Sequence, residues 1–185
     1  MKNRQQSKNG GRNQSEQSEN GMDNDLHDLF LDELADILNA EQQLTKALPK
    51  MASAAKSVEL TAAFESHLAE TENQISRLEK VFKSLNEPFK SKKCKAMEGL
   101  LEEGAEMMEE MKDTAALDAA LIASAQKVEH YEIASYGSIR AWAEQMGHSE
   151  AVNLLSETLD EEKAADEKLT EIAETMANEE AETTR

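Results

Sequence analysis

Apolar residues recur at steps of three and four along most of the chain, and this spacing predicts long amphipathic helices. Four such helices are predicted, over residues 23–48, 58–86, 115–146 and 148–176. A shorter amphipathic stretch covers residues 94–112. Pro49 is placed to end or kink the first helix, Pro88 follows the second, and Gly147 follows the third. The pattern is therefore typical of an all-α protein.

The lengths of the connections predict how these helices are arranged. The links after the first and third long helices are short, so each pair is expected to form an antiparallel hairpin. The link between the second and third covers residues 87–114, long enough to run the length of a bundle and to carry a short helix. Two hairpins joined by such a crossover form a ferritin-like four-helix bundle. We expect this bundle to occupy residues 23–177.

The two ends of the chain differ in composition from this body. Between Met1 and Met22 there is no apolar residue, so residues 1–22 are predicted to be a disordered polar tail. Residues 178–185 are also polar and are predicted to form a frayed C-terminal tail.

Composition excludes several classes of function. The chain has 38 acidic and 20 basic residues, a net charge of −18, which disfavours nucleic-acid binding by the body. It has no apolar run long enough for a membrane span. The single cysteine, Cys94, rules out an intrachain disulfide and a multi-thiolate zinc site, and it suits a reducing, cytoplasmic location.

Acidic residues and one histidine interrupt the apolar faces of the long helices where aliphatic residues are expected. These are Glu41 on the first helix, His67 and Glu70 on the second, Glu129 and Glu132 on the third, and Glu161 or Glu162 on the fourth.

Buried carboxylates are costly unless they are protonated, paired with a cation or bound to a metal. No lysine or arginine occupies the middle of these faces to act as a counter-charge. Oxygen ligands with one imidazole suit iron, manganese or zinc. The pattern is therefore consistent with a metal site, while a bundle whose glutamates reach solvent is the alternative.

A weak internal repeat supports the metal interpretation. A shift of 91 residues places Glu41 on Glu132 and Glu70 on Glu161, which resembles the four-carboxylate layout of ferritin-like dimetal sites. Those sites carry a histidine three residues after two of the glutamates, whereas this chain has Asn73 and Ala164 there. The expected centre is therefore rich in carboxylates and poor in histidine.

Several segments resemble the bacterial YciE/YciF family of ferritin-like stress proteins. They are DELADILNAEQQLTKALPKMA, AFESHLAETENQISRLEKVF, KCKAMEGLLEEG, DAALIASAQKVEHYEIASYGSIRAWAEQMGH and TLDEEKAADEKLTEIA, within residues 25–176. The resemblance implies a dimetal-type centre, a dimer and a link to stress responses. Carried over onto this sequence, it implies seven candidate ligands: Glu41, His67, Glu70, Glu129, Glu132, Glu161 and Glu162.

Two functions follow as expectations. The first is metal chemistry, in which a divalent pair (iron first, with manganese and zinc as alternatives) reacts with oxygen or peroxide. The second is a non-catalytic structural or interaction bundle in a stress-related assembly. A homodimer is expected in both, because Met97, Met107, Met108 and Met111 are surplus apolar positions. Cys94, in the basic run KSKKCK, is either a reactive thiol or incidental.

Overall fold

The computed structural model describes residues 22–183, with side chains from residue 25 onward. Throughout this range the secondary structure is helical, with no strand, which confirms the all-α prediction. The elements are α1 (Met22–Ala54), α2 (Val58–Ser84), α3 (Lys95–Met111), α4 (Leu117–Gln145), α5 (Ser149–Ile172), a π-helical turn (Ala173–Ala177) and α6 (Asn178–Thr183).

The long helices form two hairpins, α1 with α2 and α4 with α5. Helix α1 also packs against α4, and α2 against α5, so the four helices enclose a common core. The crossover, residues 85–116, carries α3, which lies against α4 and α1. The predicted ferritin-like four-helix bundle is confirmed.

The crossover is attached to α1 by hydrogen bonds on both sides of Lys93. The backbone N–H of Lys92 donates to the Ala35 carbonyl at 2.9 Å. The backbone N–H of Cys94 donates to Asn39 Oδ1 at 2.8 Å, and the Gln43 side chain donates to the Cys94 carbonyl at 3.0 Å. These bonds fix where α3 begins and hold it over the middle of the bundle.

Cys94 has a structural position at the start of α3. Its side chain is buried, and Sγ accepts the Met97 N–H at 3.4 Å as the N-cap of the helix. Burial, followed by a hydrogen bond that the thiol donates to Asp36, raises the pKa of the thiol. The basic neighbours in the sequence do not produce the lowered pKa that a reactive thiol needs.

The predicted apolar faces form the core. Buried aliphatic and aromatic side chains from all four long helices fill it, among them Phe30, Leu34, Ile37, Leu44, Leu60, Phe64, Leu78, Leu121, Ile139 and Leu155. Met97 of α3 is also fully buried, and Met108 and Met111 pack against the core. Part of the methionine surface assigned to a dimer contact is therefore used within the chain, and the dimer stays a prediction.

Two helix ends differ from the predicted boundaries. Helix α1 continues past the exposed Pro49 to Ala54, because its inner face still packs through Leu48 and Ala52. The chain remains helical to Thr183 beyond the buried Ala177, where a frayed end was expected. Apart from Met22, where α1 begins, the predicted polar tail of residues 1–22 lies outside the described residues, as do residues 184–185.

Asp118 ties the turn between α1 and α2 to the start of α4. It is buried, and its two carboxylate oxygens each accept a backbone N–H at 2.8 Å, from Lys56 and from Ser57. Within the range that the structure covers, none of the helices is long and apolar enough to cross a membrane.

Candidate metal centre

Five ionisable side chains from the four long helices meet in the middle of the bundle. They are Glu41 of α1, His67 of α2, Glu129 and Glu132 of α4, and Glu162 of α5, and together we call them the buried cluster. One ligand atom from each of four members, all but Glu41, lies within 4.8 Å of the others. This spacing is short enough for the four atoms to share metal ions.

Helix periodicity directs these side chains inward. Glu129 and Glu132 are one turn apart on α4, between the buried Val128 and Tyr136. Glu162 lies one turn after Thr158 on the buried face of α5. Since the flanking positions are packed in the core, the glutamates cannot turn to solvent without disrupting it.

The carboxylates in the buried cluster are largely without partners. Among the described residues, none donates a hydrogen bond to Glu41 Oε2, Glu129 Oε2 or either oxygen of Glu132 and Glu162. Buried polar atoms are nearly always paired in folded proteins, because an unpaired group costs about 1 to 3 kcal/mol, and more when charged. Six buried acceptors in one place are therefore costly unless protons or a bound cation neutralise them.

His67 is oriented from outside the buried cluster by Glu70. His67 Nδ1 lies 3.4 Å from Glu70 Oε2, while Nε2 lies 3.3 Å from Glu129 Oε1 and 3.8 Å from Glu162 Oε2. The Nε2 contacts lack hydrogen-bond geometry. A tautomer with its proton on Nδ1, donated to Glu70, presents the Nε2 lone pair to the carboxylates, as in metal-ligating histidines.

Tyr136 orients Glu41 in a similar way. Its hydroxyl donates to Glu41 Oε1 at 2.5 Å, and both side chains are fully buried. The other oxygen of Glu41 accepts no hydrogen bond from any residue that the structure describes. Burial, reinforced by the charge of Glu41, raises the pKa of Tyr136 well above its usual value, so the phenol stays a proton donor.

Burial raises the pKa of every glutamate in the buried cluster. For Glu41 and Glu129 desolvation is the largest cause, and each pKa rises to about 8. The pKa values of Glu132 and Glu162 are also well above the usual range, because of desolvation first and neighbouring carboxylates second. Without a cation the cluster therefore retains protons at neutral pH, and metal binding has to displace them.

The structure brings five of the seven predicted ligands together and places the other two at different positions. Glu70 lies at the edge, in contact with His67. Glu161 points away from the buried cluster and forms a bidentate ion pair with Arg77, at 2.7 and 2.8 Å. The apolar stripe through Leu155 and Thr158 indicates Glu162, whereas the internal repeat indicates Glu161; the structure follows the stripe.

Sequence reasoning missed two supporting residues. Arg77 was overlooked because it lies seven residues after Glu70, beyond the stretch of α2 that carries the predicted ligands, and its ion pair with Glu161 crosses between helices. Tyr136 was also not identified as a support, although it lies one turn after Glu132 on the same face. The i, i+4 spacing from a buried glutamate is the signal that identifies it.

Comparisons with known proteins place the whole helical body in one group. Residues 25–182 match a family described as a domain of unknown function, DUF892. The chain is 51% identical over 158 residues to the protein YciF of Escherichia coli (strain K12), covering 85% of this chain and 95% of that protein.

Solved structures give the same result. The crystal structure of the E. coli stress protein YciF matches with a TM-score of 0.79 and 51% identity, over 83% of this chain and 97% of that one. YcfI of Rhodopseudomonas palustris, provisionally described as a structural protein, matches with a TM-score of 0.77 and 50% identity, over 78% and 92%. A protein from Xanthomonas campestris pv. campestris shares the fold, with a TM-score of 0.66 and 22% identity over 84% and 95%.

Proposed function

The chain belongs to the DUF892 family, and we propose that it is a stress-linked protein whose bundle binds a pair of divalent metal ions, iron first, in the buried cluster. The link to stress follows from the E. coli relative, which is described as a stress protein. Glu41, His67, Glu129, Glu132 and Glu162 are the proposed ligands.

The six unpartnered carboxylate oxygens carry this proposal. Four ionised glutamates supply four negative charges, which two divalent cations neutralise. A hard, oxygen-rich donor set with one imidazole suits iron and manganese, and zinc less well because it favours four-coordinate sites. Glu161 uses the alternative remedy, an ion pair with Arg77, whereas among the described residues the cluster has no lysine or arginine partner and only the imidazole of His67 for its four glutamates.

Each supporting residue has a defined task in this proposal. Glu70 accepts the His67 Nδ1 proton and directs Nε2 inward, and Tyr136 holds one oxygen of Glu41 so that the other faces the cluster. The burial of Glu132 and Glu162 excludes water. When bound, an iron or manganese pair supplies redox chemistry toward oxygen or peroxide.

A non-catalytic structural role is the second candidate, favoured by the description of the R. palustris relative as structural. In that case the cluster would remain protonated and metal would bind weakly. A homodimer is proposed under both functions, and a light-scattering mass near 20.5 kDa, that of one chain, would reject it.

Metal content measured on protein purified without a metal-affinity tag tests the proposal. After dialysis against Fe(II) without oxygen, or against Mn(II), we expect two ions per chain. Glu162→Gln should lose at least one of them. Glu161→Gln is the matched control. The Glu161 carboxylate is paired with Arg77, so this substitution should leave the metal content unchanged. A wild-type protein without stoichiometric metal, or equal losses in both variants, would overturn the proposal.

A further inference from the structure

A cleft of about 430 Å³ lies between α2 and α5, and we call it the α2–α5 cleft. Four alanines form much of its walls: Ala62 and Ala63 on α2, and Ala164 and Ala165 on α5. Its volume falls in the range of about 300 to 1,000 Å³ that is usual for small-molecule sites. It is far larger than oxygen or peroxide requires.

The cleft reaches the buried cluster. His67 and Glu129 both line it, although they are only 6% and 2% exposed. His67 Nε2 and Glu129 Oε2 are buried and accept or donate no hydrogen bond within the described part of the chain. Since Glu41, Glu132 and Glu162 are fully buried, the two lining residues are where the cluster meets the cleft.

The lining selects against anionic molecules. Apart from the alanines, Phe64 and Leu169 contribute apolar surface. Lys168, at the rim, is half exposed and forms an ion pair with Glu171 at 2.7 Å, which offsets its charge. Glu59 and Glu70 line the same cleft and, with the net charge of −18, repel anionic molecules.

We propose that the α2–α5 cleft binds an uncharged organic molecule with an apolar body and a single hydroxyl or carbonyl group, which it presents to the metal centre. The apolar body lies along the alanine walls, and the polar group lies against His67 and Glu129. The link to the metal rests on the proposed function, whereas binding in the cleft does not.

The first experiment tests binding alone, in metal-free protein. Alanine methyl groups are labelled with ¹³C, and 1-hexanol is titrated while their NMR signals are followed. We expect saturable shifts at Ala62, Ala63, Ala164 and Ala165, and about tenfold weaker binding of hexanoate, because burying its charge is costly. Shifts that do not saturate, or that spread over alanines elsewhere in the bundle, would overturn the proposal.

A pair of variants confirms the location. Ala62→Phe/Ala164→Phe fills the cleft from both walls at exposed positions and should abolish the hexanol shifts. Ala69→Phe/Ala134→Phe, also at exposed helical positions but outside the cleft, should leave them unchanged. The wild-type titration decides the proposal even if the filled variant does not fold.

The second experiment tests the link to the metal. In protein loaded with Mn(II), the proton signals of bound 1-hexanol should broaden through proximity to the paramagnetic ion. Binding without broadening in a Mn(II)-loaded protein would overturn the link between cleft and centre. If Mn(II) does not bind at all, the proposed function is wrong. The hexanol titration of the metal-free protein still tests whether the α2–α5 cleft binds an uncharged molecule.

Discussion

Two buried acidic regions of the bundle are constructed in opposite ways. Asp118 is buried at one end, and both its oxygens accept backbone N–H groups at 2.8 Å. In the buried cluster, six of the eight carboxylate oxygens have no donor among the described residues. Asp118 is thus hydrogen-bonded in the way expected of a carboxylate that serves the fold, whereas the cluster oxygens leave acceptors open to an external cation.

Adjacent residues on α5 repeat this contrast. Glu161 is partly exposed and is paired with Arg77, which also donates to Thr158 at 2.7 Å. Glu162, the next residue, is fully buried and accepts no hydrogen bond from a described residue, although His67 Nε2 lies 3.8 Å from its Oε2. The chain therefore pairs Glu161 with a permanent cation, whereas among the described residues the four cluster glutamates share a single imidazole, that of His67, a pattern expected of a site for an external cation.

The largest predicted effect is a dependence of metal-free stability on pH. The cluster glutamates have higher pKa values when folded than the ordinary value of 4.5, so the folded state holds more protons than the unfolded state between about pH 5 and 8. The free energy of unfolding should therefore fall as pH rises through that window, by up to about 1.4 kcal/mol per pH unit for each retained proton. The raised pKa of His67 acts in the same direction.

Urea unfolding of the metal-free protein at pH 5, 6.5 and 8 measures this dependence. Repulsion among exposed carboxylates also grows with pH, so Glu41→Gln/Glu132→Gln is the control, and its slope should be smaller. A wild-type stability that rises over this range, or equal slopes in the two proteins, would contradict the raised pKa values.

Asp118→Ala should destabilise the metal-free protein by about 3 kcal/mol, because two backbone donors lose a charged acceptor. Asp118→Asn, which keeps one acceptor, should cost about half as much. Glu162→Gln should cost little or nothing, since Glu162 makes no hydrogen bond in the described structure. Chemical denaturation measures the free energy of unfolding of the three variants. A larger loss of stability from Glu162→Gln than from Asp118→Ala would contradict the difference drawn between Asp118 and the buried cluster.

Tyr136→Phe should have a smaller effect than Asp118→Ala, a loss of about 1 kcal/mol in the free energy of unfolding, because it removes one hydrogen bond to Glu41. It should also weaken metal binding about tenfold by releasing the orientation of Glu41. Tyr131→Phe is the matched control, since that hydroxyl donates to Asp36 at 2.7 Å. Equal metal affinities in the two variants would show that Tyr136 does not position a ligand.

Periodicity predicted the fold because long amphipathic helices leave few arrangements once the connections are known. It also predicted the inward direction of Glu41 and Glu132, which occupy positions that a leucine would fill. What periodicity could not resolve was the choice between Glu161 and Glu162, since the two lie on neighbouring faces of α5. That choice depends on the ion pair between Arg77 of α2 and Glu161 of α5, two residues that lie 84 positions apart in sequence.

The tertiary supports of the site were also beyond sequence reasoning. The bond between Tyr136 and Glu41 joins residues 95 positions apart. The α2–α5 cleft depends on how closely two helices approach, and small alanine side chains in the sequence indicate close packing as readily as a cleft.

The most direct test of the central claim is the thermal stability of the wild type and of Glu41→Gln/Glu132→Gln, each with and without Fe(II) or Mn(II). The wild type should gain ~2.7 kcal/mol of stability at a hundredfold excess of metal over its dissociation constant. The variant should gain nothing, and without metal it should be at least as stable as the metal-free wild type, because folding no longer requires two buried glutamates to take up protons. A wild-type melting curve that added metal leaves unchanged would contradict the account and favour the structural role.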